Sequence, residues 1–257
     1  MKEKVFIAAI ALLMLWPCVS AQQNVKENYI PIFLYEDEVK PSMYFEYMEA
    51  VKSNMQFFKD NNYKYPVYTF RDDEFNVFFN TPMGPNIAYV DSIYKELGIV
   101  AKADSIGWEK VWKNYDGTYN HGHNYIVYWS KSRSYYPVEI HDNLDEYKYT
   151  TLAIIYPMPG KMRELKKIME EWVALYKSNN IQQGFDTYPS YMGTKERIWV
   201  VMRFKDEIDA AQKLDGIRTV LMKSEDYQNL YKKTLKVVQK WESSRAWYLP
   251  EYSYIPE

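Results

Sequence analysis

Residues 57–62 read FFKDNN and residues 175–180 read LYKSNN. The second phrase follows the first by 118 positions, with Lys59, Asn61 and Asn62 matched by Lys177, Asn179 and Asn180. At the same spacing KELGI (95–99) meets KLDGI (213–217), and Gly98 falls on Gly216 in a chain with only 9 glycines. A third echo, SYYP (134–137) against SYIP (253–256), comes at a spacing of 119. Three matches in one order and nearly one register make an internal repeat of about 120 residues. Such a period is too long for a solenoid unit and is the size of a small domain.

Working outward from the repeated phrase, each copy reads in the same order. In the first, IPIFLY (30–35) is a buried strand bounded by EDEVKP. A helix over residues 42–61 follows, with Tyr44, Met48, Val51, Met55 and Phe58 on one stripe, and the Asn pair supplies a left-handed exit. YPVYTFR (65–71) and EFNVFFN (74–80) are strands joined by a tight turn at Asp72-Asp73. Helices over 86–97 and 105–115 precede the strand NYIVYW (124–129). The second copy gives a strand at 150–157 and a helix over 161–178 striped by Met162, Leu165, Met169, Trp172 and Tyr176. Strands around 183–191 and 197–204 come next, then helices near 206–214 and 224–242, the latter striped by Tyr227, Tyr231, Val238 and Trp241. A last strand lies near 245–249. The order is β-α-β-β-α-β, twice, with an extra helix before each final strand; this is the ferredoxin-like order, and right-handed crossovers put the helices of a copy on one side of its sheet.

Two such units facing each other sheet to sheet resemble the dimeric α+β barrel superfamily in a fused two-copy form. That group includes chlorite-dismutase-like haem proteins, the EthD and NIPSNAP groups and small antibiotic-biosynthesis-type monooxygenases. The resemblance implies an α+β fold of tandem ferredoxin-like repeats, residues 22–137 and 148–257, joined by a linker at 138–147 and packed as a pseudo-dimeric barrel. It rests on element order and duplication, without a diagnostic motif, so it carries fold rather than function. Haem-binding fused members carry their axial histidine in the C-terminal copy, whereas the histidines here are His121, His123 and His141. No cofactor, haem included, is therefore expected.

Strand alternation identifies candidate ligand-binding residues. In EFNVFFN one face carries Phe75, Val77 and Phe79, and the other Asn76, Phe78 and Asn80. In IWVVMR the corresponding faces are Ile198, Val200 and Met202, and Trp199, Val201 and Arg203. The wholly apolar face belongs under the helices, so Asn76, Asn80, Trp199 and Arg203 point at the opposing sheet. There they either reach solvent at the rim or line a cavity, because unpaired buried polar groups are costly. The pair His121 and His123 in NHGHN (120–124) is a weak metal candidate: Gly122 suggests a turn, no third ligand is identifiable, and no metal is expected. The sequence lacks GxSxG, HExxH, P-loop and GxGxxG patterns.

The amino terminus, MKEKVFIAAIALLMLWPCVSAQQ, has two lysines, an apolar run from Val5 to Trp16 and a small-residue ending. It reads as a signal peptide over residues 1–21, cleaved after Ala21, which makes the product periplasmic or secreted. A lipid anchor on Cys18, the only cysteine, is the rival reading, and Trp16-Pro17 before it is a poor lipobox. Cleavage after Ala21 removes that cysteine and with it disulfide and thiolate chemistry. What remains has 30 basic and 33 acidic residues (32 less Lys2 and Lys4; 34 less Glu3). No basic tract offers itself to nucleic acid, and no later stretch is long and apolar enough to span a membrane. The expectation is an exported protein that binds a small, partly apolar molecule between two sheets. The alternatives are a cofactor-independent oxygenase or isomerase, with Arg203 holding an anion and a His or Tyr as base, and a carbohydrate-contacting surface protein using exposed aromatics among its 26 Tyr and 8 Trp.

Overall fold

A computed structural model of the chain describes residues 29–84, 86–137 and 143–256. The signal-peptide segment with Cys18, and the linker positions 138–142 with His141, lie outside the described residues. In chain order the elements are β1 (Tyr29–Val39), α1 (Tyr44–Asp60), β2 (Tyr68–Asp72), β3 (Asn76–Pro82), α2 (Tyr89–Ala103), α3 (Ser105–Lys113) and β4 (Tyr119–Ser130). The same order then repeats as β5 (Tyr149–Pro157), α4 (Met162–Ser178), β6 (Asp186–Met192), β7 (Ile198–Phe204), α5 (Glu207–Leu221), α6 (Glu225–Leu235) and β8 (Val238–Tyr248). The eight strands close into one antiparallel barrel in the order β1-β3-β2-β8-β5-β7-β6-β4. No helix among the described residues is long and apolar enough to cross a membrane.

The repeated phrase is the end of a helix. Asn62 and Asn180 hold φ of 51° and 50°, the left-handed conformation that Asn tolerates better than most side chains. After α1 the Tyr63 amide donates to the Phe58 carbonyl and the Asn62 amide to Lys59; after α4, Ile181 donates to Tyr176 and Asn180 to Lys177. Both exits are Schellman motifs, which satisfy carbonyls that the helix leaves orphaned. The third echo closes the same junctions from the other half of the chain. The Tyr254 hydroxyl donates to the Tyr63 carbonyl at 2.6 Å, and the Tyr135 hydroxyl donates to the Ile181 carbonyl at 2.9 Å. The segment after each half's last strand thus packs into the core of the opposite half, Tyr254 beside Phe58 and Tyr135 beside Tyr176 and Phe185.

Helices cover the outside of the barrel. Tyr47, Met48, Val51, Met55 and Phe58 of α1 pack on Val77 of β3, and Leu165, Ile168, Met169 and Tyr176 of α4 pack on Ile198 of β7. These are the faces that alternation assigned to the helices. Three strands, β1, β4 and β8, run longer than the sequence reading. The helix expected over 224–242 stops at Leu235, and Val238 and Trp241 belong to β8, whose β-branched start and long pairing with β5 override a spacing that fits a helix only by count. The turn expected at NHGHN is instead the first part of β4, paired with β1 through Glu36↔His123 and Asp37↔Gly122. Gly122 serves close approach rather than turning, since a Cβ there would lie 2.5 Å from the Tyr35 hydroxyl and 2.9 Å from Asp37 Oδ1. Gly98 and Gly216 occupy equivalent places in α2 and α5 with open space around them, and nothing in the structure requires glycine there.

Candidate functional site

Side chains at alternate positions of all eight strands enclose a cavity of about 570 Å³ inside the barrel. Asn76, Asn80, Trp199 and Arg203 all line it, as do Glu36, Tyr125, Thr150, Tyr188 and Arg197, which the sequence reading did not single out. The antiparallel registers set its polarity. Asn80, Thr150 and Arg203 stand toward one end, and Glu36, Glu38, Glu74, Arg197 and Glu242 toward the other, with Ile32, Leu34, Leu152 and Ile154 among the walls.

At the first end Arg203 is not available to hold an anion. Its guanidinium is paired with Asp186, which is 1% exposed, and donates to the Tyr188 hydroxyl at 3.1 Å. Trp129 Nε1 donates to Asp186 at 2.6 Å and the Tyr136 hydroxyl donates to the same carboxylate oxygen. Burial works against the Arg203 charge, but Tyr188 and Asp186 more than offset it, so its pKa lies above the ordinary value. The anion-holding role expected of Arg203 therefore gives way to a buried structural ion pair. Beside it, Thr150 is 4% exposed and its Oγ1 has no hydrogen-bond partner; Asn80 Oδ1 is likewise buried and unpartnered. Asn76 is engaged in the β2–β3 turn, donating from its backbone and side-chain amides to Asp72 at 2.8 and 2.9 Å.

At the second end Glu36 accepts a hydrogen bond from Tyr125 at 2.8 Å. Burial pushes the Glu36 carboxyl above the usual carboxylate range, against the opposing pull of Tyr125 and Arg197. Tyr125 stacks on Trp199 with ring centroids 5.6 Å apart, and the Arg197 guanidinium lies 4.2 Å over the Trp199 ring while donating to the Tyr156 hydroxyl at 3.3 Å. Burial raises Asp72 as well, opposed by its hydrogen bonds from Asn76 and Glu74. His121 and His123 are exposed on β4 with ring centroids 6.3 Å apart, and His123 Nε2 lies 3.6 Å from Glu38. Among the described residues no group of three or more His, Cys, Asp or Glu is placed to hold a metal ion.

The sequence signal for Glu36 existed in the alternation Ile32-Leu34-Glu36-Glu38. It is hidden because a run of acidic residues reads as the end of a strand. Asp186 and Tyr188 alternate in the same way in β6.

A second cavity, about 840 Å³, lies outside the barrel between β5, β7 and β8 and the helices α4–α6. Its walls are largely apolar, with Met169, Trp172, Val200, Ile217 and Tyr227 among them and Arg218 also lining it.

No protein-family model and no curated protein matches this sequence. Solved structures do match along nearly its whole length. A protein described as "anthrone oxidase-like" is 9% identical, with 87% of this chain and 92% of that one aligned and a TM-score of 0.56. A "putative monooxygenase" from Lactobacillus acidophilus NCFM is 6% identical over 90% and 97% of the two chains, with a TM-score of 0.52. The fold is the dimeric α+β barrel. The expectation of no cofactor, haem included, is corrected. Similar chains include one described as a "novel heme-binding protein" from Thermus thermophilus (8% identity, 87% and 92% covered, TM-score 0.46). That expectation rested on the position of the histidines alone, and methionine and tyrosine side chains also ligate haem iron.

Proposed function

We propose that the protein binds a small, partly apolar molecule inside the barrel. The observation that supports this most is the state of its interior walls: Ile32, Leu34, Leu152, Ile154 and Val201 line the cavity yet are only half-buried. Protein interiors are packed to crystal density, so apolar side chains left wet within a closed barrel point to space kept for a ligand. We further read the chain as tandem ferredoxin-like units over 22–137 and 148–257, supported by the shared element order and paired helix exits, and residues 1–21 as an export signal to the periplasm or exterior. Exposed aromatics lend a carbohydrate surface little support, because Phe45, Tyr94, Tyr191 and Trp241 belong to four different elements.

A neutral apolar fluorophore, N-phenyl-1-naphthylamine, tests the binding reading. It should give a saturable fluorescence rise with the wild type and bind roughly tenfold or more weakly to Leu34→Trp, whose indole would occupy the interior without displacing the outer core. Equal affinity in the two proteins, with both folded, sinks this reading.

Glu36 favours a second reading, an oxygenase of the α+β barrel kind, because it places a titratable base with a raised pKa against the cavity. Anthrone is the first compound to try, given the anthrone oxidase-like neighbour. Protein-dependent dioxygen uptake should fall roughly 10²–10⁴-fold in Glu36→Gln; uptake no faster than in buffer rejects catalysis of this kind.

A further inference from the structure

The two ends of the barrel cavity differ in a way that specifies its occupant. At the mouth, the carboxylates Glu36, Glu38, Glu74 and Glu242 all line the cavity, against Arg197. Lys240, whose side chain is 60% exposed, pairs with Glu242 at the rim, and His123 Nε2 lies 3.6 Å from Glu38. Arg197 is held flat over Trp199, 4.2 Å from the ring centroid, and Glu36 is tied only to the neutral hydroxyl of Tyr125 among its hydrogen bonds. Negative charge therefore exceeds positive at this end; Glu36 is its half-buried member, while Glu38, Glu74 and Glu242 reach solvent at the rim. At the far end Arg203 is paired with Asp186, while Thr150 Oγ1 and Asn80 Oδ1 are buried without partners. Both residues line the cavity, although these two oxygens are themselves shielded from it. Between the ends the walls are apolar.

We infer that the ligand is an elongated organic cation, with a protonated amine at the carboxylate-lined mouth and an apolar body along the walls. This rests on the proposal that the barrel interior is a binding cavity. The ammonium supplies the partly buried Glu36 with the countercharge that its hydrogen bond from a neutral phenol does not, and ion-paired hydrogen bonds are the stronger kind. A carboxylate-bearing ligand of the same length would set like charges against each other at the mouth.

The test uses three probes that share a ten-carbon body and one terminal hydroxyl: 10-aminodecan-1-ol, decane-1,10-diol and 10-hydroxydecanoate. Calorimetric titration of the full chain should place the amino alcohol roughly tenfold or more tighter than the diol, with the hydroxy acid weakest. Raising the ionic strength should weaken the amino alcohol selectively. In the double variant Glu36→Gln, Glu242→Gln the ratio of amino alcohol to diol affinity should fall roughly tenfold. If the diol or the hydroxy acid binds as tightly as the amino alcohol, the cationic assignment is overturned while a binding cavity stands. If the variant keeps the wild-type ratio, the charge is read elsewhere and the assignment is overturned too. If none of the three binds, the cavity proposal itself fails. The salt dependence is measured on the wild type, so the test survives a variant that does not fold.

Discussion

Arg203→Met will cost about 3–5 kcal/mol of folding stability, read as a lower urea midpoint at unchanged slope. The sequence alone suggests the opposite, because an arginine replaced by an apolar side chain of similar length normally sheds desolvation cost. The tertiary structure reverses that sign. Asp186 is 1% exposed, and removing Arg203 takes a paired guanidinium away from a buried carboxylate to which Trp129 and Tyr136 also donate. Adding Asp186→Asn removes the stranded charge while keeping an acceptor for Trp129, and should return at least about 2 kcal/mol of the loss. A single-variant loss under about 1 kcal/mol would mean that the pair is not buried as described.

Asp37→Asn should raise stability at neutral pH by about 3 kcal/mol. Asp37 stands on the outer face of β1 beneath α1, 3% exposed; it accepts one hydrogen bond from Tyr47 at 2.7 Å, and its Oδ1 has no partner. Burial pushes its carboxyl up to about 6, partly opposed by the Tyr47 and Tyr35 hydroxyls. A folded-state pKa above the unfolded value of about 3.9 means that the folded state binds the proton more tightly, so stability falls as pH rises between the two values. The penalty is complete above about pH 6 and absent below about pH 4, and each tenfold difference in proton affinity corresponds to about 1.4 kcal/mol. Asparagine keeps the acceptor for Tyr47 and carries no charge. The stability difference between variant and wild type should therefore be largest at pH 7 and vanish near pH 4. The neighbouring Glu36 and His123 are present in both proteins, so their influence largely cancels in the difference. A difference independent of pH would show that Asp37 is not the titrating group.

The candidate site was legible to the extent that it depends on alternation. Asn80, Trp199 and Arg203 face the barrel interior because strand side chains alternate and the helices cover one face only, and both facts are written in EFNVFFN and IWVVMRF. What those side chains do was not legible. Arg203 reads as an anion holder until Asp186 is placed beside it, and Asn76 reads as a ligand contact until the β2–β3 turn claims it for Asp72. The acidic end of the cavity was concealed by a boundary error. EDEV looks like the close of a strand, but β1 continues through it because β3 and β4 pair with it residue by residue. Extended pairing then sends Glu36 and Glu38 inward and Asp37 outward.

The sequence by itself determined the duplication, the helix stripes and the helix exits at Asn62 and Asn180. These follow from local rules: apolar period, the left-handed tolerance of Asn, and the hydrogen bonds a helix end must satisfy. Tertiary structure alone decided the closed barrel, the crossing of Tyr135 and Tyr254 into opposite halves, and the partner of every buried charge. Those depend on which distant strands meet and in what register, a matter of long-range pairing that no local window of residues encodes.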